Sequence, residues 1–162
     1  MTAVNISAKQ EFSDAIKRGV IITAQRRMFS KDVIDSDEFA DLPTDSKLLY
    51  FIVGMNSDDE GICKSCKMLM KIHGIKTEYL EELINAKFVI QINKIVVVRH
   101  WLLNNQIRKD RFHTSSCPER ELINVENDTK IYYTDNEIQS IDSYFTPLSE
   151  YRQKDNSEYS DI

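Results

Sequence analysis

The chain has 162 residues, of which 41% are hydrophobic, enough to bury the core of one domain. No run of about 18 apolar residues is present, so we expect no transmembrane helix and no membrane partner. The first residues lack the basic flank and apolar stretch of a signal peptide. Together with an odd count of three cysteines, this indicates a reducing, cytoplasmic setting.

The formal net charge of −5 is unevenly distributed along the chain. Residues 114–162 carry four basic and 11 acidic side chains, a net charge of −7. The first 113 residues carry 17 basic and 15 acidic side chains and contain clusters of lysine and arginine. A chain with its charges separated in this way can bind nucleic acid through its basic part.

Residues 1–24 are predicted to form a helical extension. Ser7 followed by Gln10 matches a capping box, and Gly19 is a stop signal for the helix that follows. We therefore predict a helix over residues 7–18, which is also a candidate contact for a homodimer.

Three further helices are predicted after residue 44. The run from Leu48 to Met55 is too apolar for a surface helix, so the first of them is expected to be largely buried. In the second, over residues 64–73, Cys66 and Leu69 share one face, and a third begins at Thr77 after a short turn. The last two predict a helix-turn-helix, whose second helix would enter a DNA groove.

Two β-rich runs, Phe88–Ile92 and Ile95–Val98, flank a two-residue turn and predict a hairpin. Helix, helix, turn, helix and hairpin is the element order of a winged helix, with the hairpin as the wing. We therefore predict an α+β, mostly helical fold: a winged helix-turn-helix over residues 25–133 with an extra N-terminal helix. Residues 134–162, rich in polar and acidic side chains, are predicted to form a mobile acidic tail.

Six short stretches of residues 25–133 have a recognisable order and spacing. They are RRMFS (26–30), DSDEF (35–39), LYF (49–51), MNSDDEG (55–61), RHW (99–101) and NNQIRKDRF (104–112). In these stretches the chain resembles the N-terminal winged-helix domain of bacteriophage replisome organisers, replication-initiation proteins often grouped as DnaD-like. The resemblance implies a phage or prophage origin and a DNA-binding module in the host bacterial cytoplasm. It also implies a replicative helicase or its loader as a partner.

Two acidic or thiol-rich stretches are candidates for other chemistry. Cys63 and Cys66 form a CxxC pair, but zinc needs four ligands, and the other cysteine and the histidines are scattered singly. The favoured interpretation is ordinary thiols at a helix start, with metal binding or redox chemistry as alternatives. The run from Asp58 to Glu60 is interpreted as a solvated turn capping the next helix rather than as a cation site.

The chain lacks a phosphate-binding glycine loop and a recognisable nucleophile motif, so we expect no enzyme, no metal and no cofactor. Trp101 follows the predicted hairpin. It is expected to pack the wing onto the helices, with stacking on a base as the alternative.

Basic and amide side chains form the candidate nucleic-acid contacts. Lys64, Lys67 and Lys71 recur at a spacing that puts them on one helix face. A second group surrounds the paired asparagines at 104 and 105, where amides with basic residues suit phosphate and sugar contacts. A solvated face is the alternative in both places. The candidate residues are Lys64, Lys67, Lys71, Lys76, Thr77, Arg99, Asn104, Asn105, Arg108, Lys109 and Arg111.

The helix that would read DNA carries Glu78, Glu81 and Glu82. These carboxylates would repel the phosphates flanking a groove, so we expect DNA contact mainly through the lysines, the wing and residues 104–111. The same acidity supports a rival hypothesis. In it, the chain is an acidic phage adaptor or inhibitor that binds a host nucleoprotein, in counter-defence or as a nucleic-acid mimic.

Overall fold

The computed structural model describes residues 24–151 and Gln10. The predicted helix over residues 7–18 lies outside this range except for Gln10. The helices are α1 (Lys31–Ile34), α2 (Asp37–Ala40), α3 (Thr44–Met55), α4 (Cys66–His73), α5 (Thr77–Asn85), α6 (Trp101–Asn104) and α7 (Asp135–Ile138), with a 3-10 helix at Pro118–Leu122. The strands are β1 (Ile62–Cys63), β2 (Val89–Ile92), β3 (Ile95–Val98), β4 (Ile123–Glu126), β5 (Tyr132–Thr134) and β6 (Phe145–Pro147).

The first sheet is antiparallel and has the strand order β1-β3-β2. Its hairpin pairs Ile92 with Ile95 across the turn. Asn93 adopts a φ of 53° in that turn, a conformation that asparagine tolerates better than most residues. The short strand β1 joins the other edge of β3. The predicted hairpin is confirmed.

The helices α3, α4 and α5 pack together against this sheet. Leu49, Tyr50 and Val53 of α3 are fully buried, as are Leu83 of α5 and Val97 of β3. The predicted buried helix is confirmed in α3, and the helix predicted over residues 64–73 begins two residues later, at the start of α4. The mixed α+β class predicted from the sequence is therefore confirmed.

The turn between α4 and α5 depends on Gly74, whose φ of 68° lies in the left-handed region. This conformation ends α4, because the N–H of Ile75 then bonds back to the carbonyl of Met70 at 2.9 Å. Lys76 is extended and precedes the first residue of α5. The predicted helix–turn–helix order is thus present along the chain.

The second sheet has the strand order β5-β4-β6, and it corrects the prediction of a mobile tail for residues 134–151. Strand β6 pairs with β4, and Leu148, which begins another helical stretch, is fully buried. The prediction was wrong because strand pairing satisfies backbone groups whatever the side chains are, and one well-placed leucine anchors the segment. Residues 152–162 of the predicted tail lie outside the described range.

Arg99 and Tyr132 join the two sheets. Tyr132 N–H donates to the carbonyl of Arg99 at 3.0 Å, and the Arg99 guanidinium donates to the carbonyl of Tyr132 at 3.0 Å. The Tyr132 hydroxyl also donates to the carbonyl of Glu60 at 2.9 Å.

Within residues 24–151, no helix combines the length and the apolarity that crossing a bilayer requires.

Candidate nucleic-acid interface

Three lysines line the outer side of α4. Lys67 and Lys71 are exposed on the helix, and Lys64 is exposed two residues before its first residue. They point outward because the opposite side of α4 buries Cys66, Leu69 and Met70 in the core. We call Lys64, Lys67 and Lys71 the lysine stripe.

A second basic group lies in the loop after α6. Arg108, Lys109 and Arg111 are exposed there, and we call residues 108–113 the basic loop. Arg108 is paired with Asp110 at 3.1 Å, but both side chains are exposed, so this ion pair contributes little and leaves the arginine able to exchange partners.

The chain after the basic loop runs past the start of the lysine stripe. Lys64 Nζ donates a hydrogen bond to the hydroxyl of Ser116. The backbone N–H groups of His113 and Ser115 donate to Asp59 and Glu60 at 2.9 and 2.8 Å. The lysine stripe therefore contacts the segment that directly follows the basic loop, through Lys64 and Ser116.

Lys76 and Thr77 are exposed at the start of α5, as predicted, but the rest of that helix is acidic. Glu78, Glu81 and Glu82 are all exposed. The buried side of α5 consists of Leu80 and Leu83, so the outer face is left to the carboxylates. A duplex approaching α5 would therefore meet three negative charges, the first of them, Glu78, already in the first turn of the helix.

Arg99 is not available to a ligand at the protein surface, which corrects its predicted role. Only 5% of the residue is exposed. Its two terminal nitrogens donate to both oxygens of Glu137, at 2.9 and 3.2 Å, and the guanidinium lies over the ring of Tyr133. Local sequence could not reveal this, because Glu137 is 38 positions further along the chain.

Asn104 and Asn105 are also buried, each 5% exposed, and this corrects their predicted contact with nucleic acid. The Asn105 amide binds both the N–H and the carbonyl of Met28, at 2.8 and 3.2 Å. Asn104 accepts from the N–H of Ser30 and donates to the Tyr50 hydroxyl, both at 2.8 Å. The two amides hold the segment that precedes α1.

The acidic run from Asp58 to Glu60 is not the solvated turn predicted from the sequence. Glu60 is fully buried. Its carboxylate accepts hydrogen bonds from the Arg120 guanidinium and from the backbone N–H of Ser115. Asp59 binds Arg27 at 3.0 Å. Both arginines come from distant parts of the chain, which is why three consecutive acids looked like a surface turn.

Trp101 lies in the core, as expected, with 1% of the residue exposed. Its indole N–H donates to the carbonyl of Asp59 at 2.9 Å, and the Arg27 guanidinium lies 5.1 Å from the ring centroid. Gly61 packs against the ring at a φ of 86°, where a Cβ would come within 2.5 Å of the indole. Glycine is therefore needed there for both conformation and space.

All three cysteines are buried. Burial, reinforced by the neighbouring Cys63, raises the pKa of the Cys66 thiol to about 12. Burial likewise raises the pKa of the thiols of Cys63 and Cys117. Protonated thiols are poor nucleophiles and poor metal ligands. Across residues 24–151, no three His, Cys, Asp or Glu side chains come together in a way that could hold a metal ion.

Comparisons with known proteins return no match, whether with family models, with curated proteins or with solved structures.

Proposed function

We propose that the first sheet and its helices form a winged helix that binds DNA. The element order α3, β1, α4, α5, β2, β3 and the strand order β1-β3-β2 support this interpretation. In such a domain α4 and α5 are the helix-turn-helix and the β2–β3 hairpin is the wing.

The observation that carries the proposal is the lysine stripe, whose three side chains are exposed on α4 and just before its first residue. Among the described residues, no ion pair joins Lys67 or Lys71 to a carboxylate. Exposed cations without such a partner can neutralise phosphates and release their counterions.

The acidic face of α5 argues against deep insertion into the major groove. A carboxylate and a phosphate 4 Å apart repel each other by about 1 kcal/mol even in bulk water. We therefore propose that the protein grips the DNA backbone through the lysine stripe, the basic loop and the Lys76–Thr77 start of α5. Because phosphates carry no direct sequence information, such binding selects weakly among sequences.

The resemblance to bacteriophage replisome organisers makes replication initiation the proposed setting. DNA binding would then bring the protein to an origin region, and the replicative helicase or its loader would be the protein partner. This part of the proposal rests on the six stretches that carry the resemblance, among them RRMFS at residues 26–30.

Fluorescence anisotropy with labelled duplex and single-stranded DNA at several salt concentrations tests the proposal. Lys67→Gln and Lys71→Gln should each weaken binding and lower the salt slope by about one unit, because each removes one phosphate contact. Lys130→Gln, in the turn between β4 and β5, is the charge-matched control and should leave affinity unchanged. Absence of binding by the full chain at low salt would refute the proposal.

The exposed carboxylates of α5 favour one alternative, in which the protein is an adaptor or inhibitor of a host nucleoprotein. Glu78, Glu81 and Glu82 would then contact a basic surface of that partner. Replacing all three by Gln should abolish the capture of a host nucleoprotein if this alternative holds. Under the DNA proposal, the same change should strengthen DNA binding.

A further inference from the structure

The outer side of α3 is apolar, although it faces solvent. Leu48 is 45% exposed and Met55 is 38% exposed, and Phe51 and Ile52, which lie between them in the sequence, are partly exposed. Their i, i+3, i+4 and i+7 spacing puts all four on one face of the helix. The other side of α3 packs against α4, α5 and β3. We call Leu48, Phe51, Ile52 and Met55 the apolar stripe.

The apolar stripe has the character of a contact surface. Single apolar residues are common on protein surfaces, but adjoining ones mark a place where something binds. The lysine stripe and the basic loop contribute none of these side chains, so the apolar stripe is a different place from the proposed DNA contact.

The N-terminal part of the described chain packs on one flank of the apolar stripe. The ring of Phe29 lies edge-on against Phe51, with the ring centroids 4.9 Å apart. The same ring lies against Gly54, where an added Cβ would come within 2.6 Å of it. The segment before residue 24 therefore joins the described chain only a few positions before a residue that touches the stripe.

That segment has an apolar face of its own. In the helix predicted over residues 7–18, Phe12, Ala15 and Ile16 recur at i, i+3 and i+4. These three residues lie outside the described range, but Gln10 of the same predicted helix is described, and it is helical and exposed. Gln10 lies about 200° around a helix from Phe12, so its exposure agrees with a helix whose Phe12 side faces the protein.

The dimensions of the segment and of the apolar stripe are compatible. A helix over residues 7–18 would be about 18 Å long, and Leu48 and Met55 are about 10 Å apart along α3. The chain between Ile16 and Met28 can span up to about 40 Å when extended. It is therefore long enough to return to the stripe.

A second copy of the chain is a poorer occupant of this surface. A stable interface between subunits takes about 20 residues from each side, and the apolar stripe supplies four. A segment of the same chain needs less contact, because its covalent connection keeps it near the stripe at an effective concentration on the order of millimolar.

We propose that the helix predicted over residues 7–18 docks on the apolar stripe of α3 within the same chain. Phe12 and Ile16 cover the stripe, and the charged side chains of the predicted helix remain in water. The N-terminal extension then has an intramolecular role in place of the homodimer contact that the sequence suggested. This proposal stands independently of DNA binding.

Paramagnetic relaxation measured by NMR on the full chain tests the proposal. Thr44→Cys provides a site for a nitroxide, because Thr44 is exposed one turn before Leu48 on the same side of α3. The three native cysteines are buried, so the nitroxide reagent should react with the introduced thiol. The nitroxide should broaden the amide signals of residues 8–16 in its own chain. A mixture of nitroxide-free chains enriched in ¹⁵N and unenriched chains carrying the nitroxide should show no such broadening.

Matched variants on both surfaces sharpen this test. Phe12→Asp should abolish the broadening, because it puts a charge on the apolar face of the segment. Gln10→Asp, which puts the same charge on the opposite side of the predicted helix, should leave the broadening unchanged. On α3, Leu48→Asp should abolish it as well, whereas Leu122→Asp, at a 43% exposed leucine of the 3-10 helix, should not.

Three results would each overturn the proposal. They are the absence of broadening in residues 8–16, broadening that persists in Phe12→Asp, and broadening in the mixture, which would make a second copy the occupant. Failure of this experiment would leave the DNA proposal intact, since the apolar stripe shares no side chain with the lysine stripe or the basic loop.

Discussion

Glu60 and Arg120 form a forked ion pair in which the glutamate has no exposed surface. Arg120 Nε lies 2.9 Å from Oε1 and Nη2 lies 3.1 Å from Oε2. Glu60 precedes β1 of the first sheet, and Arg120 lies on the 3-10 helix that leads into β4 of the second. This pair therefore fastens the two halves of the described chain together.

We expect Arg120→Met to lower the free energy of unfolding by about 3 kcal/mol, because it leaves a buried carboxylate without its cation. Chemical denaturation at pH 7 measures the change. Glu121→Gln is the control: its carboxylate is exposed and lies 3.4 Å from Arg120, so its loss should cost under about 0.5 kcal/mol. If the two variants lowered the free energy of unfolding equally, the buried Glu60–Arg120 pair would not be what holds the two halves together.

Glu137 should make stability depend on pH. Burial raises the pKa of its carboxyl, but hydrogen bonds from Arg99 and the Thr134 N–H, with the charges of Arg99 and Lys87, outweigh burial and lower it overall. A lowered pKa in the folded state means that the carboxylate stabilises the fold at neutral pH. This stabilisation is lost as the pH falls below the ordinary value of 4.5.

Urea unfolding of the wild type and of Glu137→Gln at a series of pH values between 7 and 3 tests the direction of this pH dependence of stability. The wild type should be the more stable protein at pH 7, and the difference should shrink toward pH 3. Glu150→Gln, an exposed glutamate near the end of the described range, controls for the general effect of removing a carboxylate. A difference that stays constant over the range would contradict the prediction.

Asn105→Ala should release the segment before α1 without affecting DNA binding. The side chain supplies both hydrogen bonds to Met28, so its loss should cost about 1–3 kcal/mol and expose Arg27 to trypsin. Limited proteolysis and thermal unfolding measure the two effects. Gln106→Ala, at the exposed neighbouring position, should change neither. A selective loss of DNA affinity in Asn105→Ala, with normal stability, would restore the nucleic-acid role predicted from the sequence.

Local patterns were sufficient to predict several elements. The apolar run of α3, the β-rich runs of β2 and β3 and the outward lysines of α4 each depend on neighbours within a few positions. The sequence therefore predicted a buried helix, a hairpin and one exposed basic face. The second sheet was not predicted, because its strands have only three or four residues and β4 pairs with β6 across 19 to 23 positions.

The sequence by itself determined which residue types are available: lysines at helical spacing, paired amides, and three consecutive acids. Only the tertiary structure decided which of them face solvent. Arg99, Asn104 and Glu60 looked like surface groups, yet each is buried with partners that complete its hydrogen bonds or neutralise its charge. Burying a charged or polar side chain without such a partner costs free energy, because the group loses its hydration. The partner lies 38 positions away in the sequence for Arg99, 54 for Asn104 and 60 for Glu60.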